Sequence, residues 1–264
     1  LFIEKGPVVQ IRYGQNKVSV NRDTDGMVAY DGPLTVLVDR YSASASEIFA
    51  AAMQDYNRAL IIGEQTFGKG TVQQHRGLGK IYDLYDNPLG SVQFTIAKFY
   101  RIDGGSTQHK GVVPDILYPS AVEPEEWGEA KAENALPWDS IKRANYTTFA
   151  DGQAALDVLT AKHNKRIMQD PEFSYIYEDI EEYKENKDKN YISLVKSERE
   201  ADKKEAEEKS LARANERLQR LGMETVASLD DLPEDMDELD PFLDEAANIT
   251  FDMIQTGRYA ITRN

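Results

Sequence analysis

The chain has no cysteine and only three histidines among its 264 residues, and it has no long apolar run. The absence of cysteine suits an oxidising compartment, where stray thiols are a hazard, although many cytosolic proteins also lack it. Without cysteine or a His-x3-His pair, the sequence shows no familiar metal-ligand spacing. No apolar stretch approaches the roughly 20 residues that cross a bilayer, so we expect no integral membrane segment.

Positive charge is also scarce. The chain carries 31 Lys and Arg against 46 Asp and Glu, a formal net charge of −15. Nucleic-acid binders need clustered Lys and Arg, so this composition argues against nucleic acid as a partner and disfavours an anionic membrane surface. Hydrophobic residues still make up 41% of the chain, enough for a sizeable core in one large domain or two smaller ones.

Two segments carry candidate chemistry, namely DRYSASASEIF at residues 39–49 and GEQTFGKGTVQ at residues 63–73. Ser44 lies in the first segment, and Lys69 follows it by 25 residues in the second. A serine hydroxyl is a weak nucleophile until a neighbouring base takes its proton, and a lysine can be that base only as the neutral amine. Gln73 comes four residues after Lys69 and is placed to hydrogen-bond an amine there. The two segments are therefore chemically compatible with a Ser/Lys hydrolase.

The serine segment has a purely structural interpretation as well. Ser44-Ala-Ser-Glu47 is a capping box ahead of an apolar run, and it predicts the start of a helix. A nucleophile at that position would gain from the positive end of the helix dipole, so the two interpretations are compatible. Ser42 and Ser46 compete with Ser44, and residue chemistry alone does not choose among them.

The lysine segment has two alternatives. Gly63-x4-Gly68-Lys69 imitates a phosphate-binding loop, but Gly70 stands where that motif needs Ser or Thr, and no helix start follows. A histidine base is the other alternative, with His75 near enough in sequence to reach the site. His75 lies in a polar stretch, however, where a solvated surface histidine is expected.

Hydrophobic patterning predicts an α/β arrangement around these segments. Residues 34–38 form a nearly continuous apolar run, which is typical of a strand buried on both faces. A helix over residues 47–57 and a strand over residues 59–63 complete a parallel pair with a crossover connection. This arrangement places Ser44 beyond the carboxyl end of a strand, where sites usually form in such folds. Further strands are predicted over residues 7–13 and 91–101.

The composition changes near residue 120, where an acidic and proline-containing stretch indicates a domain boundary. The chain beyond it shows helical spacing, with helices predicted over residues 149–169, 171–185 and 243–255. Residues 196–220 are dominated by Lys, Arg, Glu and Ala, and they predict one long solvated helix with i,i+4 charge pairs.

The two motif segments resemble the active-site segments of the C-terminal-processing peptidases, and most closely those of the tail-specific proteases. Gly-Val-Val-Pro-Asp at residues 111–115 and NALPWDSI at residues 134–141 extend that resemblance over almost the whole chain. The resemblance selects Ser44 as nucleophile, Lys69 as base and Gln73 as the residue that orients the lysine. It also implies that the amide N–H of Ala45 is an oxyanion-hole donor.

The resemblance further implies the fold and its division. Residues 1–120 are expected to form the carboxyl-terminal part of a Ser/Lys protease core of the ClpP/crotonase type, and residues 121–264 a mostly α-helical C-terminal domain. The family's glycine-rich oxyanion motif, PDZ domain and N-terminal helical region are not in this sequence, so we expect the isolated chain to be an incomplete enzyme. For residues 111–115 we expect no more than a proline-set turn with an Asp cap.

The implied function is a serine endopeptidase that works through an acyl-enzyme without a cofactor. Its implied substrates are periplasmic proteins with apolar C-termini, in a Gram-negative periplasm and possibly peripheral to the inner membrane, with a lipoprotein adaptor as a possible partner. The alternative is a non-catalytic fragment or binding module that docks a partner through the helical region. The presence together of Ser44, Lys69 and Gln73 favours the enzyme.

Overall fold

The structure is a computed structural model, and it describes residues 1–79, 89–149, 153–189, 191–233 and 239–257. Two compact units are formed, one by Leu1–Ile180 with Phe242–Asn264 and the other by Glu181–Pro241. The strands within the described residues are β1 Gly6–Tyr13, β2 Val18–Asp23, β3 Thr35–Val38, β4 Leu60–Gly63, β5 Thr71–Gly77, β6 Ser91–Tyr100 and β7 Ile116–Leu117. The helices are α1 Ala45–Asp55, α2 Gln153–Ile167, α3 Pro171–Asn186, α4 Lys196–Arg220 and α5 Pro241–Thr256. No helix within those ranges is long and apolar enough to cross a membrane.

The strands build two sheets in the first unit, and the α/β class is confirmed. A four-stranded antiparallel sheet has the order β2-β1-β6-β5, and a three-stranded sheet has the order β3-β4-β7. In the second sheet β3 and β4 run parallel, with Val36 opposite Ile61 and Val38 opposite Gly63. The predicted strand, crossover helix and parallel strand are therefore present as β3, α1 and β4.

Strand β4 is the centre of the core, and all four of its residues are buried. Successive side chains of a strand point to opposite faces, and β4 follows this rule. Ile61 packs in one cluster with Ala50–Met53 of α1, whereas Leu60 and Ile62 pack in a second cluster with side chains of α2 and α5. The strand that is buried on both faces is thus β4.

The prediction that residues 34–38 form a strand buried on both faces is wrong for β3. The Leu37 side chain is 43% exposed, and only Val38 of the strand is fully buried. The physical reason is that β3 is the outer strand in the order β3-β4-β7, so helices cover it less completely than β4. An apolar run alone does not distinguish an outer strand from a central one.

Several predicted helices are confirmed with small shifts of their ends. The first begins at Ala45 and ends at Asp55, and the long charged helix is α4. Pairs at i,i+4 spacing line α4, including Lys196–Glu200 and Lys203–Glu207. The helix predicted over 149–169 is α2, although residues 150–152 of that prediction lie outside the described residues.

A cluster of buried charges joins α2 to α5. Glu245 is almost fully buried and accepts hydrogen bonds from Arg166 and His163, while Asp252 pairs with Arg166 and Lys162. Burial alone would raise the pKa of Glu245, but the hydrogen bonds from His163 and Arg166 outweigh it and hold that pKa below its usual range. Because the carboxylate is stabilised in the folded state, its contribution to stability is present above the ordinary carboxyl pKa and is lost as pH falls from that value through the lower pKa of the folded state.

We therefore expect Glu245→Gln to lower the free energy of unfolding by about 2 kcal/mol at pH 7, because Arg166 loses one of its two buried acidic partners while keeping Asp252 and some solvent contact. The difference from wild type should narrow as pH falls below about 4.5. Urea unfolding at several pH values measures it. Glu200→Gln, which breaks an exposed pair on α4, is the control and should change stability by less than about 0.5 kcal/mol. A constant difference across pH would contradict this account of Glu245.

Candidate active site

Ser44 immediately precedes α1 and has an unusual backbone conformation. Its φ is 58° and its ψ is −109°, a combination that non-glycine residues rarely adopt. Such conformations cost about 1–3 kcal/mol and persist only where surrounding contacts impose them. Here the Ser44 N–H donates to the carboxylate of Glu47 at 2.7 Å, as a capping box requires. The predicted helix start therefore also holds the serine in a strained turn.

The carboxylate of Glu47 connects the serine segment to the lysine segment. Its Oε2 accepts from the amide N–H groups of Ser44 at 2.7 Å and Lys69 at 3.0 Å. Its Oε1 accepts from the Thr66 hydroxyl at 2.6 Å and the Gly68 N–H at 2.7 Å. One side chain on the first turn of α1 thus fixes both segments that the sequence singled out.

Glu47 is fully buried, and the geometry suits its ionised form. Burial raises the pKa of this carboxyl, and the hydrogen bonds from Thr66, Gly68, Ser44 and Lys69 offset part of the rise. Each of those four groups is a hydrogen-bond donor when bonded to the carboxylate, and a protonated carboxyl would present a donor to donors. The positive end of the α1 dipole adds to the stabilisation of a negative charge at this position.

The remaining backbone groups around Lys69 are also held. The Gly68 carbonyl accepts from the His109 N–H at 2.8 Å, and the Gly70 N–H donates to Oε1 of the buried Gln108 at 2.8 Å. Gly68 has a φ of 88°, and a Cβ there would lie 2.8 Å from the His109 carbonyl oxygen. Glycine is therefore required at residue 68 by conformation and by space.

Ala45 is the first residue of α1 and is exposed to solvent. The first amide groups of a helix have no intrahelical acceptor, so the Ala45 N–H is directed away from the helix body. This is the position that an oxyanion-hole donor next to a nucleophile occupies. Its role in oxyanion binding stays a prediction.

Gln73 lies on β5 directly after a register shift between Val72 and Gln73. Its Oε1 accepts a hydrogen bond from Gln93 on β6, and its side chain is exposed. Within the described residues, no hydrogen bond joins the Gln73 side chain to the Lys69 amine. The predicted orienting role of Gln73 therefore stays a prediction.

Neither alternative to the Lys69 interpretation, the phosphate-binding loop or a His75 base, gains support from the structure. The segment after Lys69 continues as strand β5 and not as a helix, so the phosphate-loop interpretation lacks the helix that it needs. His75 is exposed on the same strand and lies 3.2 Å from Oε1 of Gln93. That environment is the solvated surface expected for His75.

Asp115 does more than the predicted cap of a turn. Its Oδ2 accepts from the Ile61 N–H at 2.7 Å, and its Oδ1 accepts from Nε2 of Gln54 at 2.9 Å. Asp115 therefore joins β4 to the last turn of α1, the helix that begins directly after Ser44. The expectation of a simple turn at residues 111–115 is corrected by these long-range bonds.

Sequence reasoning proposed Ser44 and Lys69 as site residues and assigned Glu47 only to the helix cap. The capping-box spacing was the available signal, since it identifies Glu47 as an acceptor for backbone amides. Thr66 and Gln108 carried no comparable signal, because their partners are 19 and 38 residues away in the sequence.

Comparisons with known proteins agree over nearly all of the chain. Residues 1–118 match the model of peptidase family S41, and residues 122–255 match that of the C-terminal domain of tail specific protease. The chain is 47% identical over 259 residues to the tail-specific protease of Haemophilus influenzae, covering 96% of this chain and 37% of that protein. It is 40% identical over 117 residues to a carboxy-terminal-processing protease of Bartonella bacilliformis, covering 44% of this chain and 25% of that protein. A solved structure of a photosystem II D1 C-terminal processing protease is matched at 33% identity and a TM-score of 0.38, over 47% of this chain and 29% of that one. The chain thus spans well under half the length of these relatives.

Proposed function

This chain belongs to the tail-specific proteases of peptidase family S41, and from that membership we propose that it carries the nucleophile and the base of a serine endopeptidase. Ser44 is the nucleophile, Lys69 is the base, Gln73 orients the lysine, and the Ala45 N–H is one oxyanion donor. The observation that supports this proposal most directly is the shared Glu47 carboxylate, which accepts from the amides of both Ser44 and Lys69.

The proposed reaction follows from these roles. The neutral Lys69 amine takes the proton of the Ser44 hydroxyl as Oγ attacks the substrate carbonyl carbon. The oxyanion is stabilised by the Ala45 N–H and by a donor from elsewhere in the protein. The C–N bond then breaks, the leaving amine takes the proton from Lys69, and an ester on Ser44 remains. Water, deprotonated by Lys69, hydrolyses this ester and restores the hydroxyl.

The substrate and location are part of the same proposal. The family resemblance supports protein substrates with apolar C-termini in a Gram-negative periplasm, a place at the periphery of the inner membrane, and a lipoprotein adaptor as partner. No cofactor enters the proposed steps. The competing proposal is a non-catalytic module that docks a partner through the helical region.

Covalent labelling tests the proposal. We expect a fluorophosphonate probe to modify the full-length protein that contains this chain at one site, Ser44, as read by peptide mass spectrometry. Ser44→Ala keeps the backbone hydrogen bond to Glu47 and should abolish labelling. Ser46→Ala should be labelled like the wild-type protein. Labelling at another serine would reassign the nucleophile, and no labelling of folded wild-type protein would favour the non-catalytic module.

A further inference from the structure

We propose that residues 124–131, the strap, are a positioning element for the two catalytic segments, with Trp127 and Glu129 as its positioning residues. The strap lies in the region that matches the C-terminal domain of the tail-specific proteases, and it packs on the region that matches the peptidase. This inference rests on the proposed Ser44 and Lys69 chemistry.

Trp127 contacts the serine segment. Its indole Nε1–H donates to the carbonyl oxygen of Arg40 at 2.8 Å. Its ring meets that of Tyr41 edge to face, with the ring centroids 5.1 Å apart. These two contacts fix the turn that leads from β3 to Ser44.

The lysine segment is held by the next two residues of the strap. The Glu129 N–H donates to the Phe67 carbonyl at 3.0 Å, two residues before Lys69. Gly128 has a φ of 73°, and a Cβ on it would overlap the same Phe67 carbonyl oxygen. The strap therefore approaches the lysine segment too closely for any side chain at residue 128.

The Glu129 carboxylate reaches the other side of Lys69 through Gln108. Glu129 Oε1 accepts from Gln108 Nε2 at 3.2 Å, and Gln108 Oε1 accepts from the Gly70 N–H at 2.8 Å. Gln108 is fully buried, so the orientation of its amide depends on these partners. The strap thus fixes the carbonyl of Phe67 and, indirectly, the amide of Gly70, on both sides of the base.

Positioning by the strap has a kinetic consequence. A displacement of about 1 Å of a catalytic group can lower a rate by about 100-fold without changing how substrate is held. Because the strap contacts the backbone of the catalytic segments, we expect its loss to lower kcat and leave KM nearly unchanged.

The test uses the full-length protein with Gly128→Ala, and Gly26→Ala as the matched control. Gly26 has a φ of 74°, and nothing lies within 4 Å of a Cβ placed there, so the control carries the same backbone strain without the overlap. We expect Gly128→Ala to lower kcat at least about tenfold on a short peptide, with KM within about twofold and the control close to wild type.

Three further variants keep the test decisive if Gly128→Ala folds poorly. Trp127→Phe retains an aromatic ring against Tyr41 but removes the N–H donor to the Arg40 carbonyl, and it should lower kcat about threefold to tenfold while the protein stays folded at the assay temperature. Glu129→Ala should slow catalysis, and Glu129→Gln should restore it, because the amide oxygen still accepts from Gln108.

Titration with fluorophosphonate separates positioning from misfolding. A loosened site labels to full stoichiometry at a slower rate, whereas a partly unfolded sample labels to lower stoichiometry. Wild-type rates in all folded strap variants would overturn the strap proposal. A wild-type protein that never labels would instead contradict the proposed function, so the two failures are distinguishable.

Discussion

Lys69→Arg should abolish peptide hydrolysis while leaving the fold intact. A guanidinium stays protonated at any pH that the protein tolerates, so it cannot take the Ser44 proton. Loss of a general base typically lowers kcat by about 10²- to 10⁴-fold. Removal of either member of a nucleophile–base pair lowers kcat by at least as much, because the two residues act as a unit. We expect kcat/KM to fall by at least about 10³-fold for Lys69→Arg and for Lys69→Ala, measured on a peptide substrate of the full-length protein.

The fold should survive these changes because Lys69 contributes its backbone N–H to Glu47. Any residue except proline keeps that hydrogen bond, so the melting temperature should stay within about 3 °C of wild type. His75→Gln is the matched control, since it removes the histidine nearest to Lys69 in the sequence, which lies on the exposed part of β5. Activity that survives in Lys69→Ala and disappears in His75→Gln would replace the lysine mechanism with a histidine one.

The order of elements around the site was predictable because it rests on local patterns. Apolar runs at residues 34–38 and 59–63 predicted β3 and β4, and the capping box at Ser44 predicted the start of α1. Strand, crossover helix and parallel strand follow from general rules of chain connection. The position of Ser44 beyond the end of β3 follows from the same rules.

The bonds that hold the site were not predictable, because they join residues that are far apart in the sequence. Gln108 accepts a hydrogen bond from Gly70, which is 38 residues away in the sequence, and Asp115 accepts one from Ile61, which is 54 residues away. The composition of the acidic stretch after residue 119 indicated a domain boundary, yet Trp127 and Glu129 of that stretch contact the catalytic segments. Composition reports solvation preferences, and it carries no information about which surface a segment covers. The domain division at residue 120 accordingly stays a prediction.

Glu47→Gln is the substitution that separates a helix cap from an organiser of the site. In a capping box a glutamine is nearly as good as a glutamate, because one amide oxygen suffices for one backbone N–H. Here both carboxylate oxygens accept two hydrogen bonds each. Whichever way the glutamine amide turns, its NH₂ group faces at least one backbone N–H that has lost its acceptor.

A buried donor without an acceptor lowers the free energy of unfolding by about 1–3 kcal/mol. The neutral amide also lacks the negative charge of the carboxylate, so its remaining hydrogen bonds are weaker. We therefore expect Glu47→Gln to lower the free energy of unfolding by about 2–4 kcal/mol, measured by urea unfolding. Since the same bonds fix the amides of Ser44 and Lys69, kcat should fall about 10²-fold while KM changes little. The expected pattern is a joint loss of stability and of rate.

Asp244→Asn is the control, because Asp244 is an exposed acid in the first turn of α5. Its loss removes a favourable charge from a helix N-terminus and should cost no more than about 1 kcal/mol. If Glu47→Gln costs no more than this control and retains wild-type kcat, Glu47 is only a helix cap. The strained φ of Ser44 would then need another source of support, because the hydrogen bond from Ser44 N–H to the Glu47 carboxylate would not be what maintains it.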